Sequence, residues 1–236
     1  MGELVTMLRE AWLDALAVVA PTECSGCGAP DRALCVSCRA DLAPVPTPVD
    51  LSGVPVWAAL DYGSVPRSVL LAFKDGGRTD AAPVLAGALR AAIASALRDG
   101  RACGGEPGIR IATIPSTRAA FRRRGYHPVE LLLARSGLRS ERVLRPIRRA
   151  ADQASLGAAE RALNRAGSLR CMPRAAGRTY LLVDDILTTG STLREAARAL
   201  RRAGASVAGA AVVARTERRD GLNGWDQVPA GFTGDL

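Results

Sequence analysis

Histidine and lysine are almost absent from this chain, and aromatic residues are few. Its 236 residues include one histidine, His127, one lysine, Lys74, and three each of phenylalanine, tyrosine and tryptophan. A single histidine with no orienting carboxylate near it in the sequence gives no support to a Ser-His-Asp or Cys-His catalytic arrangement. We interpret His127 as a capping or packing residue between a loop and a helix. Because aromatic residues are scarce, alanine and leucine must do much of the core packing.

Two nucleotide-binding signatures and two kinds of targeting segment are missing as well. The chain has neither the Gly-Lys-Ser/Thr of a Walker A loop nor the Gly-x-Gly-x-x-Gly of a Rossmann dinucleotide site. No apolar run reaches the roughly 18 residues of a transmembrane helix. Charged residues interrupt the apolar ones in residues 1–22, and the helical spacing there predicts an amphipathic helix rather than a secretory signal. We therefore expect a cytoplasmic protein with no membrane span.

What the chain has in excess is arginine, and the excess is local. The formal net charge is +9. Residues 110–178 contain 16 arginines against four carboxylates, whereas the rest of the chain is slightly acidic. Such a concentration of positive charge is typical of a site for a polyphosphate ligand or a nucleic acid. A solvated surface is the alternative interpretation, since the near-absence of lysine indicates a general preference for arginine.

The most informative stretch runs from residue 178 to residue 195. The apolar run Tyr180–Val183 predicts a strand that ends in Asp184 and Asp185, and a short loop leads to an amphipathic helix. A strand, a loop and a helix N-terminus in this order form a cradle for phosphate, because free backbone N–H groups and the positive end of the helix dipole face one point. The predicted phosphate ligands are Thr188, Thr189, Gly190, Ser191 and Thr192.

Three features of this stretch bear on its role. Gly190 allows the backbone to approach an anion without an intervening Cβ. Thr192 and Glu195 have the spacing of a capping box, which could close the helix. The carboxylates of Asp184 and Asp185 repel each other unless something engages them, and either a ribose diol or a hydrated Mg²⁺ is suitable. A phosphate cradle beside a group that binds a diol predicts a sugar-phosphate site.

A second anion site is predicted after the strand at Ile109–Ile114. Ligands of open α/β sheets bind beyond the carboxyl ends of strands, so hydroxyl and guanidinium groups there are placed to hold an anion. The residues concerned are Pro115, Ser116, Thr117 and Arg118, followed by Arg122, Arg123 and Arg124. The glycine-bearing turn that begins at Lys74 is equally consistent with a phosphate contact and with a plain helix stop.

The polar segment from Arg148 to Asn164 has two interpretations. It is helix-tolerant, so it could be an ordinary surface helix. It also lies between two strands whose ends line the predicted site, where a mobile lid would be useful. Its arginines, Arg148, Arg149 and Arg161, are candidate contacts for phosphate or DNA.

Four cysteines near the N-terminus form two Cys-x-x-Cys pairs, Cys24 with Cys27 and Cys35 with Cys38. Four thiolates suit the tetrahedral coordination of structural Zn²⁺. Disulfides fit poorly with a chain expected to stay in the cytoplasm, and a redox Cys-x-x-Cys would not need a second copy. The spacing therefore predicts a structural zinc knuckle.

Composition divides the chain into three expected regions. Residues 1–48 would hold the amphipathic helix and the zinc knuckle, and would end in a proline-rich link. Residues 49–216 would form an α/β domain in which strands alternate with helices. Residues 217–236 are polar and contain several glycines, which predicts a frayed tail.

These segments together resemble a known family. Residues 178–195 resemble the PRPP-binding motif of type I phosphoribosyltransferases. The cysteine knuckle precedes this motif, and Lys74-x-Gly76, Pro115–Gly125 and Gln153–Asn164 lie between them. In that order they resemble the ComF (ComF/GntX) family of phosphoribosyltransferase-like proteins over nearly the whole chain. The resemblance implies a type I phosphoribosyltransferase-like parallel sheet flanked by helices, with a small N-terminal four-cysteine zinc-binding module.

The resemblance also implies residue roles. Asp184 and Asp185 would be the catalytic acids that hold the ribose hydroxyls, and the turn from Thr188 to Thr192 would hold the 5′-phosphate. Residues 115–118 would form the pyrophosphate loop, and residues 148–164 would match the lid. The family often has Gly-Phe-Asn-Gln where this chain has residues 125–128, Gly-Tyr-His-Pro. Thr188 stands where enzymes acting on 6-oxopurines carry an acid, so their base-assisted mechanism is not implied.

Two functions of different classes follow from the resemblance. The first is transfer of ribose 5-phosphate from PRPP to an acceptor, with Mg²⁺ as cofactor and pyrophosphate as leaving group. The second is a competence factor that handles incoming single-stranded DNA together with other competence proteins. Stacking on single strands needs aromatic side chains, and Phe121 and Tyr126 are the only ones near the arginines.

Overall fold

The computed structural model describes residues 23–30, 32–99, 108–147 and 167–216. Three of the predictions above lie outside these residues. They concern the amphipathic helix at residues 1–22, the lid segment with Arg148, Arg149 and Arg161, and the tail at residues 217–236.

The described part is built around a five-stranded sheet in the order β1-β2-β7-β6-β3. β1 pairs antiparallel with β2, and the other neighbours are parallel. The strands are β1 (Thr47–Asp50), β2 (Pro55–Asp61), β3 (Arg110–Thr113), β6 (Thr179–Leu187) and β7 (Ser206–Arg215). A separate antiparallel hairpin consists of β4 (Leu144–Pro146) and β5 (Leu169–Cys171).

The two central strands are buried on both faces, as parallel strands between helices usually are. Residues 180–183 of β6 are fully buried, and so are residues 210–214 of β7. Gly209 allows β7 to approach β2 closely, because a Cβ there would come within 2.8 Å of the Pro55 carbonyl oxygen.

Helices cover both faces of the sheet. They are α1 (Val36–Ala40), α2 (Ser64–Lys74), α3 (Ala82–Arg98), α4 (Arg118–Arg124), α5 (Pro128–Arg135) and α6 (Ser191–Arg202). One apolar cluster joins α2, α3 and α5 to one face of the sheet. A second joins α6 and the hairpin to the other face.

The long helix α3 meets the length and composition of a membrane span. With the short 3₁₀ turn before it, it forms the stretch Thr79–Arg98, the one such helix in the described part of the chain. More than half of this stretch is buried inside the protein, and α3 contributes eight buried residues to the core. This burial is that of a core helix of the domain.

Three elements differ from the sequence-based expectation. The proline-rich link contributes strand β1, which spans the boundary predicted at residue 48; Pro48 is tolerated because β1 is an edge strand. β6 does not end in Asp184 and Asp185 but continues two residues further, to Leu187. The arginines after β3 lie on helix α4 rather than in a loop.

Candidate functional site

The candidate site lies where the parallel strands end. β3 pairs with β6 up to Thr113 and Val183, so the segments that follow these two residues begin side by side. Beyond Val183, β6 continues beside β7 alone. The predicted cradle and the predicted pyrophosphate loop therefore share one edge of the sheet, as the topology of open α/β sheets requires.

Asp184 and Asp185 lie within β6, near the end where it still pairs with β7, and not in the loop beyond the strand. Asp184 is paired in register with Val212, and its Oδ1 accepts a hydrogen bond from the Asp185 backbone N–H at 2.9 Å. Successive side chains of a strand point to opposite faces, so the two carboxylates diverge across the sheet edge. Asp185 lies on the side of α2, where Lys74 Nζ is 2.9 Å from its Oδ2.

Both the backbone conformation of Gly190 and the packing of Leu51 against it fix the shape of the turn after β6. Gly190 has φ +69°, and a Cβ there would lie 2.3 Å from Leu51 Cδ1. Thr189 Oγ1 lies 3.0 Å from Ser191 Oγ and accepts a hydrogen bond from the Ser191 N–H, while Arg194 donates to the Thr189 carbonyl at 3.0 Å. The turn is thus held in shape by its own groups at the N-terminus of the 12-residue helix α6.

The capping box predicted for Thr192 and Glu195 is wrong. Gly190 is the N-cap of α6, and the Thr189 hydroxyl accepts a hydrogen bond from the first N–H of the helix, that of Ser191. Glu195 is buried and accepts hydrogen bonds from the Leu169 N–H at 2.9 Å and from Arg198 at 2.7 and 2.8 Å. Burial alone would raise its pKa, but Arg198 and backbone N–H groups outweigh burial and lower the pKa to about 2. Glu195 therefore anchors β5 to α6.

The predicted pyrophosphate loop follows β3 directly. The Ile114 N–H donates to the Val183 carbonyl at 3.4 Å, which ties the loop to the cradle strand. Thr117 is the N-cap of α4, and its hydroxyl accepts a hydrogen bond from the Ala120 N–H at 3.1 Å. Ser116 is half-buried and Arg118 is exposed, so this loop presents a hydroxyl and a guanidinium group.

Two of the arginines on α4 are engaged within the protein. Asp75 accepts from Arg123 at 2.7 Å and from Arg124 at 3.1 Å. Burial would raise the pKa of Asp75, but these two guanidinium groups lower it. Lys74 and Asp75, adjacent at the end of α2, thus bind the acid of β6 and the arginines of α4. In the sequence, the only signal for these ion pairs was the glycine-bearing turn that begins at Lys74. That turn was equally consistent with a phosphate contact and with a plain helix stop.

His127 has a packing role, as expected. Its ring stacks on Phe121, with centroids 4.6 Å apart and an interplanar angle of 23°. The neighbouring Tyr126 donates its hydroxyl to the Phe73 carbonyl, which attaches α4 and α5 to α2.

The four predicted zinc ligands converge. The sulfur atoms of Cys24, Cys27, Cys35 and Cys38 all lie within 4.8 Å of one another. Cys27 Sγ and Cys35 Sγ are 3.8 Å apart, which equals the separation of about 3.8 Å implied by tetrahedral Zn–S bonds of about 2.3 Å. A Cβ on Gly26 would come within 2.6 Å of Cys38 Sγ, so this knuckle requires glycine. The donor set fits zinc.

Backbone groups stabilise thiolate in this knuckle. The Cys35 N–H donates to Cys24 Sγ, and the Cys38 N–H donates to Cys35 Sγ. Burial would raise the pKa of Cys24, but N–H groups from residues 35, 27 and 26 outweigh it and lower the pKa to about 6. Burial and the neighbouring thiols raise the pKa of Cys38. A divalent cation would offset both burial and mutual repulsion.

The knuckle belongs to the same core as the sheet. Cys24, Cys38 and Leu42 share an apolar cluster with Val69 and Phe73 of α2. Arg78, just beyond α2, donates to the Glu23 carbonyl at 3.0 Å and pairs with Asp80. The metal site and the helix that carries Lys74 are therefore packed together.

The C-terminal part of the chain is similar to known proteins. Residues 147–229, about a third of the chain, match the family model "Phosphoribosyl transferase domain". Adenine phosphoribosyltransferases from Mycobacterium avium (strain 104) and Mycolicibacterium paratuberculosis are each 60% identical to this chain over 37 residues, and that from Mycobacterium marinum is 57% identical over 37 residues. These matches cover 16% of this chain and about a fifth of the length of each relative.

Solved structures give a more distant similarity over a longer span. The crystal structure of adenine phosphoribosyltransferase from Saccharomyces cerevisiae, complexed with an imino-altritol bisphosphate and adenine, is 17% identical, with a TM-score of 0.38 over 77% of this chain and 89% of that one. Another adenine phosphoribosyltransferase structure is 18% identical, with a TM-score of 0.35 over 74% and 86%. The domain match, the mixed parallel sheet and its flanking helices show that the chain has a type I phosphoribosyltransferase-like fold.

Proposed function

We propose that the chain binds PRPP or a related sugar phosphate at the carboxyl edge of its sheet, and transfers ribose 5-phosphate to an acceptor nucleophile with release of pyrophosphate. The observation that carries this proposal is the continuous segment Asp184–Thr192, in which two acids at the end of β6 precede a hydroxyl-lined turn and a helix N-terminus. The matched phosphoribosyltransferase domain includes this whole segment.

Each part of the segment has a role suited to its chemistry. The turn from Thr188 to Thr192 would bind the 5′-phosphate through hydroxyls and N–H groups at the positive end of the α6 dipole. Asp184 and Asp185 would accept hydrogen bonds from the ribose hydroxyls. Because Lys74 already pairs with Asp185, the ribose hydroxyls would either share that carboxylate with the ammonium group or displace it.

The loop after β3 would bind the leaving group. In the proposed reaction the C1–O bond of PRPP breaks and its electron pair leaves with pyrophosphate, while a lone pair of the acceptor forms the new bond to C1. Ser116 and Arg118 would stabilise the negative charge that develops on pyrophosphate. The acids are hard oxygen donors that fit Mg²⁺. They would hold it with the substrate's own oxygens, and when bound it would supply further charge stabilisation at pyrophosphate.

We further propose that the chain is a ComF-type protein of the cytoplasm with a structural zinc site. The convergent sulfur atoms of Cys24, Cys27, Cys35 and Cys38 support the zinc site. The knuckle contributes to the core against α2 and offers no open coordination position in a four-thiolate set, so its role would be structural.

Single-stranded DNA binding is a second candidate function. One observation favours it: Phe121 is 41% exposed and stacked on His127, on a helix that also carries the exposed Arg122. An aromatic face beside a cation is the usual platform for bases. A steep fall of DNA affinity with salt, and competition by PRPP, would support this function. If DNA binding is undetectable and the protein releases pyrophosphate from PRPP, the result would favour ribose 5-phosphate transfer over DNA binding.

PRPP binding tests the main proposal directly. We expect calorimetry with Mg²⁺ to detect PRPP on the wild-type protein, and the double variant Asp184→Asn with Asp185→Asn to bind at least about 100-fold more weakly, because two charged hydrogen-bond acceptors are lost. Asp41→Asn, which changes an exposed acid at the end of α1, is the matched control. Unchanged PRPP affinity in a folded double variant would contradict the assignment.

A further inference from the structure

After its first two residues, the outer face of helix α6 consists of arginine. From residue 193 to residue 202, every residue that is not buried is an arginine, namely Arg194, Arg198, Arg201 and Arg202. Because successive residues of a helix are about 100° apart, these four side chains share one stripe about 100° wide. Like charges four residues apart destabilise a helix, so the stripe is suited to an anionic partner.

Two of the four arginines already have partners in the chain. Arg198 donates to the buried carboxylate of Glu195, and Arg194 donates to a carbonyl of the turn after β6. Arg201 and Arg202 form no ion pair among the described residues, and both are exposed. They lie in the last turn of α6, where the helix dipole favours a cation. Their charges are therefore stable at this end of the helix and available to a partner.

A groove of about 450 Å³ lies between this stripe and the turn that joins β1 to β2. All four arginines line it, together with Leu51, Ser52, Val54 and Ala197. Among the described residues, no carboxylate lines it. The residues assigned to PRPP do not line it either, neither the acids of β6 and the turn after them nor the loop after β3. The groove thus has one cationic wall and one largely apolar wall, outside the sugar-phosphate site.

The largely apolar wall is a fixed two-residue hairpin turn. Ser52 and Gly53 have φ of +54° and +79°, since the tightest hairpin turns need positive φ at both central residues. Leu51 and Val54 exchange backbone hydrogen bonds at 3.0 and 3.3 Å. The nearby carboxylate of Asp50 accepts from the Gly53 N–H at 3.1 Å and does not line the groove. The shape of this wall is therefore set before any partner binds.

Residues 220–236 of the same chain have the complementary chemistry. They contain no arginine, lysine or histidine, and their three carboxylates are those of Asp220, Asp226 and Asp235. Large apolar side chains lie between the carboxylates, at Leu222, Trp225, Val228 and Phe232. Carboxylates match the guanidinium groups of one wall, and apolar side chains match the turn that forms the other.

The segment also starts close to the groove. Thr216, the last described residue before it, donates its N–H to the Leu187 carbonyl at 2.9 Å. Three residues beyond Leu187 is Gly190, the N-cap of α6, and Leu51 of the groove packs against it. A chain of about 20 residues spans up to about 66 Å, whereas the 12 residues of α6 extend over about 18 Å. The segment can therefore reach the whole stripe.

We propose that residues 220–236 dock in this groove, with their aspartates on Arg201 and Arg202 and their apolar side chains on Leu51 and Val54. The polar, glycine-bearing sequence predicts that the segment frays on its own, and the groove supplies the contacts that order it. None of these residues is assigned to PRPP, so the docking does not depend on the sugar-phosphate site.

Hydrogen exchange of the full-length protein tests the docking. Backbone amides of residues 220–236 should exchange at least about tenfold more slowly than in a free peptide of the same sequence. The double variant Arg201→Gln with Arg202→Gln should lose this protection, and about 1 M salt should reduce it in the wild type because exposed ion pairs are screened. Arg90→Gln, an exposed arginine on α3 at the opposite face of the sheet, is the matched control and should keep it.

Charge reversal distinguishes docking from damage to α6. Arg201→Asp with Arg202→Asp should release the segment, and further reversal by Asp220→Arg with Asp226→Arg should restore protection. The melting temperature of each variant confirms that the domain is folded. Continued free-peptide exchange in the folded fourfold variant would overturn the proposed ion pairs.

Free-peptide exchange throughout residues 220–236 of the wild type would overturn the docking itself. Weaker binding of a single-stranded oligonucleotide or of tetrapolyphosphate by Arg201→Gln with Arg202→Gln would then assign the groove to a free polyanion. The same double variant should keep its PRPP affinity unchanged. A loss of tail protection with intact PRPP binding would support the docking, and it would leave the sugar-phosphate proposal to be judged by its own variants.

Discussion

The cysteine knuckle and the cradle at the end of β6 were both predicted from short, continuous motifs, yet the structure treats them differently. In the knuckle, four sulfur atoms converge, and backbone N–H groups from the same two loops orient them. In the cradle, Lys74 from a helix about a hundred residues away already pairs with Asp185. The four sulfur atoms of the knuckle could hold one metal ion, whereas the cradle already contains a cation from the chain itself, the ammonium group of Lys74. A local motif therefore predicts which of its own groups come together more reliably than it predicts the net charge of the site, because a distant residue such as Lys74 can add a charge to it.

The largest expected effect is loss of a cysteine from the knuckle. Cys24→Ser removes a ligand that is 3% exposed and lies in the core shared with α2. Since metal binding contributes to folding, we expect loss of bound zinc and a decrease of at least about 3 kcal/mol in the free energy of unfolding. Metal analysis and thermal unfolding would measure both effects. Cys171→Ser, outside the cluster, is the control and should keep its zinc; full zinc content in Cys24→Ser would exclude the four-thiolate site.

Glu195 tests the anchoring beneath the cradle. Its pKa is lowered to about 2, so the carboxylate contributes stability that is fully present above the unfolded value of about 4.5 and is lost as the pH falls towards 2. We expect Glu195→Gln to lower the free energy of unfolding by about 2 to 3 kcal/mol at pH 7. Denaturant unfolding between pH 7 and pH 2 should show a weaker pH dependence in the variant. An identical pH dependence in both proteins would contradict this role.

Gly190 tests whether the cradle turn is shaped by packing. Gly190→Ala places a Cβ at positive φ and against Leu51, so we expect a loss of about 2 kcal/mol of stability. Gly177→Ala has a similar φ of +71° with open space around the new Cβ, and should lose only about 1 kcal/mol. Chemical denaturation of both variants would measure the difference. Equal losses would show that conformation alone selects glycine at position 190.

Substitution of Lys74 tests how the positive charge beside Asp185, as distinct from the shape of the turn, affects ligand binding. The ion pair with Asp185 is partly exposed, so Lys74→Met should change stability by less than about 1 kcal/mol. If the ammonium group assists phosphate binding, PRPP affinity should fall about tenfold. Arg67→Met, an exposed cation on the same helix, is the control. Tighter PRPP binding in Lys74→Met would show instead that Lys74 competes with the ligand for Asp185.

Local patterns predicted the elements of this fold well. Apolar runs located β3 and β6, and the short loop after the two acids located the start of α6. The patterns failed where a long-range partner decides the outcome. Thr47–Asp50 forms a strand only because β2 offers it an edge. Glu195 does not cap α6, because its carboxylate accepts hydrogen bonds from the Leu169 N–H and from Arg198 instead.

The sequence by itself determined the chemistry of the two motifs: which sulfur atoms form the knuckle, and which acids and hydroxyls follow β6. Their spacing along a few residues leaves the backbone little choice of geometry. The tertiary structure alone decided that Lys74 pairs with Asp185, that Asp75 binds the arginines of α4, and that Arg145 faces Arg170. These pairs join groups that are distant in the chain or set by strand register, and no local pattern specifies which side chains the packing of the core will bring within a few ångströms.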